Sequence, residues 1–124
     1  MDRARFERLV AEAVDKLPDE FHEKLANIDV VVERQPTFRQ LAEAGLKSGE
    51  TLLGLYEGIP QTERGRYYGL VVPDKITIFQ RPIEAQCRND VEIRSQIRGT
   101  VLHEIAHHFG IDDDRLRRLN NGKA

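Results

Sequence analysis

Three features of the sequence predict an α+β fold, with helices packed on one face of a small β-sheet. Two segments carry apolar residues at helical spacing, Phe6 to Leu17 and Ile93 to Phe109. Ile28–Val32 and Lys75–Gln80 are short and rich in β-branched residues, the composition of strands. With successive helices grouped together the order is α-β-α-β-β-β-α, and counted singly the helices outnumber the strands. A chain of 124 residues has the size of one domain, so residues 1–124 are expected to share a single core.

Each element has its own local reason. Phe6, Leu9, Val10, Ala13, Val14 and Leu17 form one apolar stripe, and the helix that carries them should stop before Pro18. A second short helix runs from Asp19 to about Ala26 with Phe21 and Leu25 inward; His22 is expected to be a partly exposed surface residue. Ile28–Val32 follows as a buried strand. Thr37 can cap a short helix holding Phe38, Leu41 and Ala42, which Gly45 closes. Thr51–Tyr56 reads as the next strand. From Glu57 to Tyr68, Gly58, Pro60 and Gly65 interrupt a charged run, which predicts a loop long enough to serve a function. Pro73-Asp74 marks a turn between Leu70–Val72 and Lys75–Gln80, so a hairpin is expected there. Pro82 opens a short helix through Ala85. The last long helix is expected to start at Asp90 as its N-cap and to bury Ile93, Ile97, Val101, Ile105 and Phe109. Gly110 ends it, and Asp112 can cap a final helix with Leu116 and Leu119 inward.

Composition removes several classes of function. Charged residues make up 32% and hydrophobic residues 40%, a globular balance rather than a disordered or fibrous one. The longest stretches without Asp, Glu, Lys or Arg are Tyr67–Pro73 and Ile105–Ile111, far short of the roughly 20 apolar residues of a membrane-spanning helix. A net charge of −2, with arginines scattered from Arg3 to Arg118, makes no basic footprint, so neither nucleic acid nor an anionic membrane is expected as a partner. The N-terminal MDRARFERLV lacks the apolar stretch of a signal peptide, and Cys87 is the lone cysteine. A cytoplasmic location is therefore expected.

Three of the four histidines fall within VLHEIAHHFGIDDD. His103 and His107 are four apart, so on a helix they project from one face about a turn apart, a spacing that lets two imidazoles reach one zinc ion. Glu104 follows the first histidine and is placed to act on a zinc-bound water without being a ligand. His108 is turned about 100° from His107 and cannot easily share its metal. Gly110 permits a left-handed turn that brings the chain back, and Asp113 is the acid placed to arrive as a third ligand, with Asp112 and Asp114 as its alternatives.

The segment His103 to Asp113 resembles H-E-x-x-H-x-x-G-x-x-D, a metzincin-type signature with Asp in place of the third histidine. The whole chain, including LLGLYEGIPQTERG, is similar to a family of very small bacterial zincin-like metallopeptidases. The resemblance implies a zincin core: a small mixed sheet, an edge strand above a cleft, and zinc on the helix that carries H-E-x-x-H. By resemblance the edge strand is Lys75–Gln80, where an extended peptide could pair. No Glu follows Glu104, so a downstream glutamate ligand is excluded; the only methionine is Met1, so no Met-turn lies beneath the metal.

The function this implies is a zinc metallopeptidase acting on a peptide or protein, with zinc on His103, His107 and Asp113 and Glu104 as general base. Tyr56, Tyr67, Tyr68 and the loop arginines are candidate oxyanion stabilisers. Two alternatives stand beside it. One is a zinc-dependent endoribonuclease, whose motif H-x-x-x-H-x-x-G-x-D-H differs here at Asp113 and whose substrate suits the net charge poorly. The other is a non-catalytic zinc-binding interaction domain. Neither the oligomeric state nor the substrate sequence is written in the chain.

Overall fold

The protein is described by a computed structural model covering residues 1–47, 49–58 and 73–121, with the main chain alone at 113 and 119–121. The elements, in chain order, are α1 (Arg3–Asp15), α2 (Asp19–Leu25), β1 (Ile28–Glu33), α3 (Phe38–Glu43), β2 (Gly54–Glu57), β3 (Asp74–Phe79), α4 (Gln80–Ala85), α5 (Asp90–Phe109) and α6 (Asp113–Asn121). The fold is α+β, as the sequence predicts. The expected hairpin strand Leu70–Val72 and most of the loop before it lie outside the described residues.

The sheet is mixed. β3 lies in the middle, parallel to β1 and antiparallel to β2, in the order β1-β3-β2. This corrects the assignment of Lys75–Gln80 as the edge strand. Its residues Ile76, Thr77, Ile78 and Phe79 are all buried, as a strand covered on both faces requires, and among the described residues the edge beside the motif helix belongs to β2. The strand expected at Thr51–Tyr56 begins only at Gly54.

The helical core follows from the apolar stripes. α1 buries Phe6, Leu9, Val10 and Ala13 and packs along α5; Asp2 caps it by accepting the Arg5 N–H at 2.8 Å. Phe21 of α2 is fully buried, while His22 is half-buried, its Nε2 2.8 Å from the Val14 carbonyl, which ties α2 to the end of α1. Thr37 and Gln40 form a capping box at α3.

Two details of α5 differ from expectation. Its N-cap is Asn89, whose side chain accepts the Glu92 N–H at 2.9 Å; Asp90 is the first helical residue and pairs with Arg5. Phe109 does not join the buried stripe and is 44% exposed, whereas Ile93, Ile97, Val101 and Ile105 are buried. A repeat of four outruns the 3.6-residue turn by about 40° per step, so from Ile93 to Phe109 the stripe drifts by about 160°. Leu102 and Ala106 take over the buried face at that end. Among the described residues no helix is long and apolar enough to cross a membrane.

Candidate metal centre

The C-terminal half of α5 carries the motif, and its sequence explains how it stops. Gly110 adopts φ 71°, its N–H bonds the Ala106 carbonyl, and the Ile111 N–H reaches that carbonyl too, at 2.9 Å. This is a Schellman-type ending, which a glycine enters without a Cβ penalty. Ile111 then packs against the core, so the chain is turned back over the helix end rather than released into solvent. α6 starts two residues later, at Asp113.

His103 and His107 stand side by side on the exposed face of α5, their ring centroids 4.0 Å apart and their planes tilted by 54°. Two adjacent, exposed imidazoles supply the neutral nitrogen donors that zinc prefers. The Asp113 side chain lies outside the described residues, so its distance from the pair is not part of this geometry. The neighbouring acids are engaged elsewhere. Asp112 caps α6 by accepting the Arg115 N–H at 2.7 Å, and Asp114 pairs with Arg117. Among the described residues no three His, Cys, Asp or Glu side chains converge on one point. Burial, and then the charge of Glu92, push the Cys87 thiol above its ordinary pKa.

Glu104 is half-buried and faces strand β2, where its Oε1 accepts the Tyr56 main-chain N–H at 3.0 Å. The approach depends on Gly54. A Cβ there would come within 2.5 Å of the Thr100 Cγ2 and 3.1 Å of the Thr77 carbonyl oxygen, so only glycine lets β2 lie this close to α5. Arg115, a conceivable partner for Glu104, instead pairs with Glu20 at 2.6 Å.

Two further contacts complete the surroundings. His108 stacks on Tyr56 with ring centroids 3.9 Å apart and planes within 13°, and Phe109 meets His108 edge-on at 4.9 Å. The Tyr56 hydroxyl donates to Asp74 Oδ2 at 2.6 Å, so it is committed to a carboxylate rather than held out for an oxyanion. Tyr67, Tyr68 and the loop arginines lie outside the described residues. The contact between the Tyr56 amide and Glu104 has no local signature in the sequence. Gly54 is its one available sign, a glycine inside an otherwise apolar strand, where close approach of another backbone is a common reason.

The family model of zincin-like metallopeptidases matches residues 25–123, most of the chain and the whole of the motif helix. The chain belongs to the zincin-like metallopeptidase family. A conserved hypothetical protein from Thermus thermophilus is similar in structure, with a TM-score of 0.56 and 20% identity over 88% of this chain and 94% of that one. At that identity the likeness concerns the fold alone. No curated protein matches the sequence.

Proposed function

We propose that this member of the family is a zinc-dependent peptidase, with His103, His107 and Asp113 holding the metal and Glu104 acting as general base. The observation that carries the reading is the juxtaposition on one exposed helix end of two paired imidazoles and a carboxylate turned to a strand edge. The donor chemistry fits zinc: two neutral nitrogens, with an acid three residues beyond the Gly110 turn to complete the set. Asp113 is favoured over its neighbours because Asp112 and Asp114 already serve as a helix cap and an ion-pair partner. A bound zinc ion supplies Lewis-acid polarisation of a peptide carbonyl and acidifies the attacking water.

The remaining work belongs to the chain's own groups. Glu104 takes the proton of the attacking water and returns it to the departing amine. Among the described residues strand β2 lies at the sheet edge, and its outward main-chain groups other than the Tyr56 N–H, which Glu104 holds, are those along which an extended peptide can lie.

Metal analysis of the wild type and of His103→Ala and Glu104→Gln tests this. One zinc per chain is expected in the wild type and in Glu104→Gln, and far less in His103→Ala. Against a peptide that the wild type cleaves, Glu104→Gln should lose roughly a hundredfold or more in rate, the scale of a general base. Equal zinc in the wild type and in His103→Ala overturns the ligand assignment, and wild-type hydrolysis by Glu104→Gln overturns the base.

A further inference from the structure

Three contacts converge on Tyr56. Its N–H donates to Glu104 Oε1, its ring lies flat on His108, and its hydroxyl donates to Asp74 at the start of β3. Successive residues of a strand turn their main-chain groups to opposite sides, and the Leu53 carbonyl faces β3, where it accepts the Phe79 N–H at 2.9 Å. Leu55 and Glu57 therefore face β3 as well, and Tyr56 faces outward, to the edge that Glu104 reaches. His108 stands four residues after Glu104, on the same side of α5. The histidine that cannot easily share the metal of His107 thus sits one turn from the carboxylate and against the strand that holds it.

We propose that Tyr56 and His108 are positioning residues for the general base: their stacked rings fix the outward edge of β2 over α5, so that the Tyr56 amide holds one oxygen of Glu104 and leaves the other to accept the proton. This deepens the peptidase reading and rests on it. A glutamate side chain has several freely turning bonds, and a charge-assisted hydrogen bond from a fixed main-chain donor removes much of that freedom. The donor is only as fixed as the strand. The Tyr56 ring is held at its hydroxyl by β3 and on its face by α5, so sliding β2 along the helix breaks both contacts together. The logic is that of a catalytic base oriented by a third group, the orienting group here being a backbone amide.

The test compares His108→Ala, His108→Phe and Glu104→Ala by NMR amide exchange in metal-free protein, with the Leu55 amide as internal reference. His108→Ala and Glu104→Ala should each speed exchange at Tyr56 roughly fivefold, the scale of one hydrogen bond, and leave Leu55 unchanged. His108→Phe, which keeps a ring face, should restore the wild-type rate. In zinc-loaded protein His108→Ala should keep full metal and lower kcat for a cleaved peptide several-fold, with KM nearly unchanged, and His108→Phe should recover it. Unaltered exchange at Tyr56 in His108→Ala overturns the proposal, and so does loss of zinc in that variant, which would make His108 a ligand. Because the exchange comparison uses metal-free protein, it decides the orienting contact even if no peptide is cleaved and the peptidase reading falls.

Discussion

Replacing Gly54 by alanine should separate strand β2 from helix α5. The added Cβ would sit 2.5 Å from Thr100 Cγ2, about 1 Å inside an ordinary contact, and 3.1 Å from the Thr77 carbonyl oxygen. Thr100 cannot swing its methyl away cheaply, because it is buried and its hydroxyl donates to the Gln96 carbonyl at 2.8 Å. Overpacking of this kind costs about 1–3 kcal/mol. For a chain of this length that corresponds to a Tm lower by roughly 4–12 °C. The pair Gly54→Ala with Thr100→Ser deletes the offending methyl and keeps the hydroxyl, so it should regain most of the loss. The regain should be incomplete because the Thr77 carbonyl contact remains. Thermal unfolding followed by circular dichroism gives the Tm values, and amide exchange at Tyr56 reports the strand. If Gly54→Ala melts at the wild-type temperature, or if Thr100→Ser restores nothing, the close approach of β2 to α5 is not what the glycine serves.

The other predictions concern the turn and the third ligand. Asp113→Ala should lower zinc affinity by at least tenfold while Asp113→His keeps the metal, both measured by competition with a chelator. Asp112→Ala should instead cost about 1 kcal/mol of stability through loss of the α6 cap, with zinc retained; zinc loss there rather than at Asp113 would move the ligand by one residue. Gly110→Ala should destabilise by about 1–2 kcal/mol because of its positive φ alone, since an added Cβ meets nothing within 4 Å, and Gly110→Asn should cost less. Equal denaturant midpoints for the two Gly110 variants would count against the backbone as the cause.

Much of the helix end that carries the candidate site was legible because it is local. A four-residue spacing of His103 and His107, a glycine stop at Gly110 and a capping acid at Asp112 involve atoms within two turns of one another, so no distant part of the chain is needed to read them. The apolar stripe of α1 and the β-branched runs of β1 and β3 are equally short-range, and the α+β class follows from them. Even locally the reading has an edge. Asn89 and Asp90 are both good caps, and only the observed hydrogen bond to Glu92 separates them.

Tertiary structure decided which strand lies where. A strand's residues say that it pairs but not with whom, because the ladder joins main-chain groups that every residue shares. Nothing within Lys75–Gln80 therefore tells an edge strand from a central one, and β3 lies between β1 and β2, buried on both sides. Phe109 leaves the core because a repeat of four drifts around the helix, away from the face that Leu102 and Ala106 bury at that end. The Tyr56 amide on Glu104 and the Tyr56 ring on His108 join α5 to a strand some 50 positions earlier, and no pattern along the chain encodes them. The sequence by itself determined which residues stand at the end of one helix and how that helix stops. The packing of β2 against that helix, through the space left at Gly54, decided what surrounds it.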